Sequence, residues 1–247
     1  MAVVRLRPAD LRSALASDGT SLQFQVQVHV PTGTLAGVEA LVRWPHPALG
    51  MVGPQEIVQL VEAGGLQEAF DHWVIRTACA QAAAWIHGGV PLPLISVNVF
   101  EPTLRAHGLF AAVTDALEAA GAGTLELELP RGATADPALV ALIGSLRTRG
   151  VRIAVEAREA ADLPAIDVDT VKLPYGLTSQ IATRAEAASA IVAAARDRKL
   201  RVVGEGVETR EQQAALLGIG CETLQGYVFG PEVSASEVGA LARQRVS

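Results

Sequence analysis

Residues 21–30 read SLQFQVQVHV, and apolar side chains at every even position from Leu22 to Val30 alternate with polar ones. A strict period of two predicts a strand with one solvated face, which is typical of antiparallel pairing. The turn Pro31-Thr32-Gly33 leads into a second predicted strand over residues 35–43. These two strands are therefore predicted to form a hairpin.

After the hairpin, short and nearly all-apolar stretches alternate with helical ones. Buried strands that are separated by helices indicate βαβ units and a parallel sheet. The further predicted strands cover residues 94–100, 125–129, 151–156, 170–173, 201–205 and 222–225. Predicted helices cover residues 54–63, 66–87, 104–120, 136–149, 184–199, 208–217 and 234–243. Pro54 opens the first of these helices, and Ser234 and Glu237 have the spacing of a capping box in the last.

Eight predicted strands, the first of them antiparallel to the rest, favour a TIM-like (β/α)8 barrel of the α/β class. An open doubly wound sheet is the structural alternative, but it would place a glycine-rich phosphate loop after an early strand, and the sequence has no convincing one. Residues 1–20, which include the helical segment 8–17, are predicted to be a linker or a leading helix, and residues 21–247 the barrel. This organisation suggests a piece of a longer, multidomain protein.

The composition indicates what the core consists of and argues against some classes of function. Half of the 247 residues are hydrophobic and only 4% are aromatic, so the core is predicted to consist of Ala, Val and Leu. The net charge of −6 argues against nonspecific binding of DNA, which needs a basic surface. Cys79 and Cys221 are predicted to be buried free thiols, as in a cytoplasmic protein. No stretch is apolar for long enough to span a membrane.

Polar residues stand in predicted strands where only apolar ones are expected. Most of them lie at the C-terminal end of their strand, which is the functional rim of such a barrel. Carboxylate and amide oxygens there suit Mg²⁺, Mn²⁺ or Ca²⁺ better than zinc. Glu39 and Arg43 project from one face of a strand, so a metal ligand would lie beside a guanidinium that binds phosphate. The polar residues are Glu39, Asn98, Glu128, Glu156, Lys172, Glu205 and Gln225.

The chain resembles an EAL domain, the bacterial family that binds and hydrolyses cyclic di-GMP. The resemblance runs from about Leu22 to the C-terminus and rests on six ordered blocks. These are GVEALVRW at 37–44, SVNV at 96–99, LELE at 125–128, VKL at 171–173, VGEGVET at 203–209 and QGYVFG at 225–230.

The resemblance implies a role for each matching residue. Glu39, Asn98 and Glu128 match metal ligands, and Arg43 matches the residue that grips a phosphate. Lys172 matches the lysine that touches the nucleophilic water, and Glu205 a further acidic site residue; both would be catalytic only in an active enzyme. Gln225 matches a group on the substrate side, and Leu41 is expected to contact the ligand together with Arg43.

The chain departs from the family after the fifth strand. Two aspartates and a glycine-containing loop are replaced by Glu156, Ala157 and a shorter segment. Hydrolysis by two metals needs a bridging carboxylate, and a methyl group offers no oxygen. A residual site for one Mg²⁺ or Mn²⁺ is therefore expected at Glu39, Asn98, Glu128 and Glu156, without a two-metal centre. The chain also differs from the family pattern at four other places, which are Gln25-Val26, Pro130-Arg131, Pro174 and Pro231-Glu232.

Three hypotheses follow. The leading one is a catalytically degenerate EAL domain that acts as a non-hydrolytic receptor for cyclic di-GMP and signals to a protein partner or an attached domain. The second is a slow metal-dependent phosphodiesterase that opens cyclic di-GMP to pGpG. The third is an interaction scaffold with an empty site. Because the segment at which the family often dimerises is altered, the sequence leaves open whether the chain forms a homodimer.

Overall fold

The structure is a computed structural model that describes residues 5–17, 19–91, 94–121 and 125–244. It contains a closed barrel of eight strands, and a short additional strand extends one of them. The strands are β1 (Ser21–His29), β2 (Thr34–His46), β3 (Gly50–Val52), β4 (Leu94–Asn98), β5 (Leu125–Leu129), β6 (Arg152–Glu156), β7 (Thr170–Leu173), β8 (Arg201–Gly204) and β9 (Thr223–Gln225).

The strand order around the barrel is β1-β2-β4-β5-β6-β7-β8-β9, and β9 returns to β1. Strand β1 is antiparallel to both of its neighbours, whereas the pairs from β2–β4 through β8–β9 are parallel. The predicted TIM-like barrel with an antiparallel first strand is confirmed. Strand β3, which the sequence interpretation missed, pairs with the end of β2 outside the ring.

The first hairpin forms as predicted, and Gly33 allows its turn because its φ of 65° lies in the left-handed region. Strand β2 continues to His46, beyond the predicted end at Arg43, because its last residues pair with β3. The register places Gln25 opposite Glu39, so the polar face of β1 contributes to the barrel interior at the level of the predicted site.

The helices lie around the barrel. They are α1 (Pro8–Ala16), α2 (Pro54–Ala63), α3 (Gln67–His87), α4 (Glu101–Arg105), α5 (Leu109–Ala120), α6 (Pro137–Thr148), α7 (Tyr175–Thr178), α8 (Ile181–Asp197), α9 (Arg210–Gly218) and α10 (Ala235–Leu241). Within the described ranges, no helix is both long and apolar enough to cross a membrane. The division of the chain at residue 20 stays a prediction.

One helix prediction was wrong in detail, and one short helix was not predicted. The predicted helix over residues 104–120 is two helices, α4 and α5, and Ala106 between them is extended. Gly108, which follows the break, approaches α3 so closely that a Cβ at this position would lie 2.7 Å from Glu68 Oε1. Helix α7 was missed because its four residues are too few to show a helical periodicity.

The core lies between the barrel and its helices. Val97, Leu127, Ile153 and Val171 are fully buried on four successive parallel strands. Small side chains on α3 and α8, which include Ala78, let these helices pack closely on the sheet. Both cysteines are buried and free, as predicted, and burial raises the pKa of Cys79 to about 11 and that of Cys221 to about 12.

Candidate functional site

The C-terminal ends of the parallel strands surround a cavity of about 530 Å³. Helices α2 and α3 give it an apolar wall, which includes Ile57, Val58, Phe70 and Val74. The polar wall comes from the barrel. The predicted site residues that line the cavity are Glu39, Leu41, Arg43, Asn98, Glu128, Glu156, Lys172 and Glu205.

Three carboxylates converge in this cavity. Glu39 on β2, Glu128 on β5 and Glu205 just after β8 each offer one oxygen, and these oxygens lie within 4.8 Å of one another. We call these three residues the carboxylate cluster. The Lys172 ammonium on β7 lies among them, 2.6 Å from Glu205 Oε1 and 3.5 Å from Glu39 Oε2, and also contacts Glu128. The Lys172 side chain is only 3% exposed.

Strand register explains much of this convergence. Asn98 is paired with Glu128 across β4 and β5, and Glu156 is paired with Lys172 across β6 and β7. Paired residues of parallel strands point to the same face of a sheet, so a closed barrel directs their side chains toward one interior. Glu205 reaches the cluster from beyond the end of β8, where its backbone amide donates to the carbonyl oxygen of Leu173.

The charges within the cluster do not balance, because three carboxylates face one ammonium. Burial and the nearby charges of Glu39 and Glu205 raise the pKa of Glu128 to about 8. Burial also raises the pKa of Glu205. Burial acts to raise the pKa of Glu39 as well, but Lys172 and hydrogen bonds from Gln225 and Asn98 together lower it.

Burial acts in the opposite direction on Lys172, whose ammonium loses water. The three surrounding carboxylates nevertheless raise the pKa of Lys172 well above its usual value. The lysine therefore stays charged at neutral pH. A proton on the cluster or an additional cation would offset the remaining negative charge.

Glu39 is held by amide side chains on both sides. Asn98 Nδ2 donates to Glu39 Oε1 at 2.7 Å, and Gln225 Nε2 donates to Glu39 Oε2 at 2.6 Å. Gln225 is 2% exposed and does not line the cavity. The structure thus places this residue, expected on the substrate side, in the barrel interior as a support for Glu39.

Beneath Gln225, a buried polar network that the sequence interpretation missed continues down the barrel. Gln27 Nε2 donates to Gln225 Oε1 at 3.0 Å, and Arg201 Nη2 donates to Gln27 Oε1 at 2.5 Å. Arg201 in turn lies 3.7 Å from the fully buried Glu126. The sequence contains one signal for this network. Gln25 and Gln27 alternate with apolar residues on β1, and amide side chains can form hydrogen bonds inside a barrel as well as face solvent.

The two departures at the end of β6, Glu156 and Ala157, differ in their position relative to the carboxylate cluster. Glu156 lines the cavity, but its Oε1 accepts a hydrogen bond from Arg158 Nε at 2.8 Å, and its carboxylate is not part of the carboxylate cluster. Ala157 is fully buried, and its backbone amide donates to the carbonyl oxygen of Lys172 at 3.0 Å. Ala157 does not line the cavity.

The donor set fits one hard divalent cation. Glu39, Glu128 and Glu205 supply carboxylate oxygens at one point, and Asn98 adds an amide whose oxygen could be turned toward the same point. Oxygen ligands of this kind suit Mg²⁺ or Mn²⁺. The set differs from the predicted one, because Glu205 takes part in the cluster and Glu156 does not. Among the residues that the structure describes, no second group of three or more such side chains converges in this way.

Two arginines line the cavity at its edge. Arg43 Nε donates to Gln23 Oε1 at 3.1 Å, and its Nη2 lies 3.1 Å from Glu232 Oε1. Arg131, which the sequence interpretation noted only as a departure, is half exposed and lies 3.7 Å from Asp162. The cavity therefore combines the carboxylate cluster with guanidinium groups that can contact an anion.

Fold and site together define an α/β barrel with an acidic, cation-compatible site at the C-terminal ends of its strands. The family model described as EAL domain matches residues 9–232. The chain belongs to the EAL domain family. It is 33% identical, over 93% of its own length and 35% of the relative's, to the bifunctional diguanylate cyclase/cyclic di-GMP phosphodiesterase MucR of Pseudomonas aeruginosa. It spans about a third of the length of the curated relatives it matches.

Solved structures support the same assignment. The P. aeruginosa MucR phosphodiesterase in complex with c-di-GMP superimposes with a TM-score of 0.84 at 32% identity, and the match covers 93% of this chain and 98% of that one. The FimX EAL domain of Xanthomonas citri in complex with c-di-GMP has a TM-score of 0.83 at 19% identity, with coverages of 92% and 93%. This second likeness establishes the fold alone.

Proposed function

We propose that this chain is a catalytically degenerate, non-hydrolytic EAL domain that binds cyclic di-GMP and signals to a protein partner or an attached domain. The observation that carries the proposal is the composition of the carboxylate cluster. Its three carboxylates meet around one point, Glu156 is bonded to Arg158, and Ala157 has no oxygen to offer.

Hydrolysis of a phosphodiester by two metals requires ligands for both ions and a water that is activated between them. The carboxylate cluster and Asn98 provide ligands for one Mg²⁺ or Mn²⁺. When bound there, such an ion supplies positive charge for a phosphate oxygen. The buried Lys172 ammonium adds a fixed positive charge, and the amides of Asn98 and Gln225 orient Glu39.

Binding of the dinucleotide needs fewer groups than its cleavage does. The cavity of about 530 Å³ lies in the ordinary range for small-molecule sites. Its acidic wall would hold the cation that meets one phosphate, and Arg43 would contact a phosphate at the edge. Leu41 and the apolar wall formed by α2 and α3 offer contact area for the bases.

Two measurements on the same protein test this proposal. Calorimetry with cyclic di-GMP, in the presence and absence of Mg²⁺, is expected to show binding that the cation strengthens. Chromatography of the same mixtures after prolonged incubation is expected to show the cyclic dinucleotide intact. No heat of binding at high protein concentration would refute the receptor and favour the third hypothesis, an interaction scaffold.

A slow phosphodiesterase is the second candidate. It is favoured by the contact of Lys172 with Glu205, because this contact keeps the two retained catalytic candidates together at the carboxylate cluster. The relative from P. aeruginosa carries phosphodiesterase in its name. Formation of pGpG with Mg²⁺ or Mn²⁺, and its loss in Glu39→Ala, would establish this function in place of the receptor.

A further inference from the structure

The guanidinium of Arg43 is already bonded on three sides. Its Nε donates to Gln23 Oε1 at 3.1 Å, its Nη1 donates to the carbonyl oxygen of Val42 at 3.0 Å, and its Nη2 lies 3.1 Å from Glu232 Oε1. Gln23 and Val42 are neutral partners that orient the side chain. Glu232 is different, because it cancels the positive charge that an anionic ligand would use.

Backbone pairing fixes Glu232 beside Arg43. The next residue, Val233, exchanges two hydrogen bonds of 2.9 Å with Phe24 on β1. The bridge lies on the edge of β1 opposite β2, so Arg43 and Glu232 approach each other from the two sides of β1, beside Gln23. The side chains of Arg43 and Glu232 are only 14% and 20% exposed, a depth at which water and salt screen their attraction only in part.

We infer that Glu232 competes with anionic ligands for Arg43 and thereby sets the affinity of the site, an inference that rests on the proposed function. A phosphate that approaches Arg43 must either displace the Glu232 carboxylate or remain beside it as a like charge. Either course opposes binding. Glu232 is thus an affinity-determining residue of the cavity, although it neither belongs to the carboxylate cluster nor lines the cavity.

The variant Glu232→Gln tests this inference with little change of shape. Glutamine retains an oxygen that accepts from Arg43, but the charge is gone, so the phosphate replaces a weaker neutral bond. We expect calorimetry in Mg²⁺ to show cyclic di-GMP binding that is roughly tenfold tighter than in the unaltered chain.

Two further variants make the result specific. Glu222→Gln removes the same charge from an exposed residue that pairs with His29 at the opposite end of the barrel, and it is expected to leave affinity unchanged. The double variant Arg43→Ala/Glu232→Gln is expected to lose the gain. Equal dissociation constants for Glu232→Gln and the unaltered chain would overturn the inference, even where both bind the dinucleotide.

A readout without the dinucleotide separates failure of this inference from failure of the proposed function. Phenylglyoxal modifies arginine, and mass spectrometry follows its reaction at Arg43. We expect faster modification of Arg43 in Glu232→Gln than in Glu222→Gln. If no variant binds cyclic di-GMP, the proposed function fails, while faster modification still supports the hold of Glu232 on Arg43. Equal rates would overturn that hold.

Discussion

Lys172 Nζ lies 2.6 Å from Glu205 Oε1, at the end of the barrel where the cavity opens. The same ammonium contacts Glu39 and Glu128, so one buried positive charge is shared by three carboxylates. A partial counter-charge is therefore built into the cluster. A divalent cation that binds there joins Lys172 in neutralising the carboxylates.

Removal of this counter-charge is expected to destabilise the chain unless metal is supplied. In Lys172→Met the three carboxylates lose their buried partner, and the free energy of unfolding in EDTA is expected to fall by about 3–5 kcal/mol. Mn²⁺ is expected to raise the melting temperature of this variant more than that of the unaltered chain, because the ion takes over the missing charge.

Thermal unfolding with EDTA and with MnCl₂ measures both effects. Lys199→Met is the control, because Lys199 is exposed and far from the cluster, and it is expected to respond to Mn²⁺ as the unaltered chain does. An identical Mn²⁺ shift in Lys172→Met and Lys199→Met would show that Lys172 does not share the cluster's charge with the metal.

Metal affinity should distinguish Glu205 from Glu156. Glu205→Gln removes one of the three converging carboxylates, and we expect Mn²⁺ to bind at least about tenfold more weakly. Glu156→Gln changes a carboxylate that is bonded to Arg158, and we expect a change of less than about twofold. Calorimetric titration with Mn²⁺ compares the two. A larger loss in Glu156→Gln would restore the ligand set expected from the sequence.

An aspartate at position 157 is not expected to restore hydrolysis. Ala157 is fully buried, and its amide is bonded to Lys172, so a carboxylate there meets an apolar surrounding instead of the cavity. Ala157→Asp should lower the free energy of unfolding by at least about 2 kcal/mol. Ala161→Asp, at a nearby exposed position, is the control. Unchanged stability together with cleavage of cyclic di-GMP would contradict this expectation.

The buried Asp71 on α3 is expected to make the free energy of unfolding depend on pH. It is 1% exposed, and although its Oδ2 accepts from the Phe100 amide at 2.8 Å, its Oδ1 has no partner in the part of the chain that the structure describes. Burial raises the pKa of Asp71 to about 7, and the neighbouring Thr103 hydroxyl and the Phe100 amide only partly oppose this. The folded state therefore keeps a proton that the unfolded state releases near pH 4.

Because the folded pKa is the higher one, the Asp71 contribution favours folding below about pH 4 and is lost as the pH rises to about 7. The loss is up to about 4 kcal/mol. Asp71→Asn cannot ionise, so its stability relative to the unaltered chain is expected to improve over this interval. Urea unfolding at pH 4.5, 6 and 7.5 measures the difference, with the exposed Asp115→Asn as control. Parallel pH profiles would contradict the assignment.

Much of the fold could be predicted because periodicity reports burial. The alternation after Ser21 gave the antiparallel first strand, and the apolar strands between helices gave the parallel barrel. Polar residues at strand ends likewise predicted the cavity, two members of the carboxylate cluster, Glu128 and Glu205, and the Lys172 ammonium that lies among them, since parallel strands present their ends at one side.

The side-chain partners within and near the site could not be predicted, because they depend on contacts between distant parts of the chain. The pairing of Arg43 with Glu232 is set by the bridge between Phe24 and Val233, and neither residue has a local pattern that indicates its partner. Gln225 turns into the barrel because Gln25, Gln27 and Glu39 together satisfy its amide. A residue-by-residue resemblance assigns roles, but it does not show which neutral or charged neighbours those side chains bind.

The most direct test of the central claim is a crystal structure of the chain with cyclic di-GMP and Mn²⁺, in which anomalous scattering locates each ion. We expect one Mn²⁺, at Glu39, Asn98, Glu128 and Glu205, beside an intact cyclic dinucleotide. Two Mn²⁺ ions at a bridging distance, with pGpG in the cavity, would contradict it.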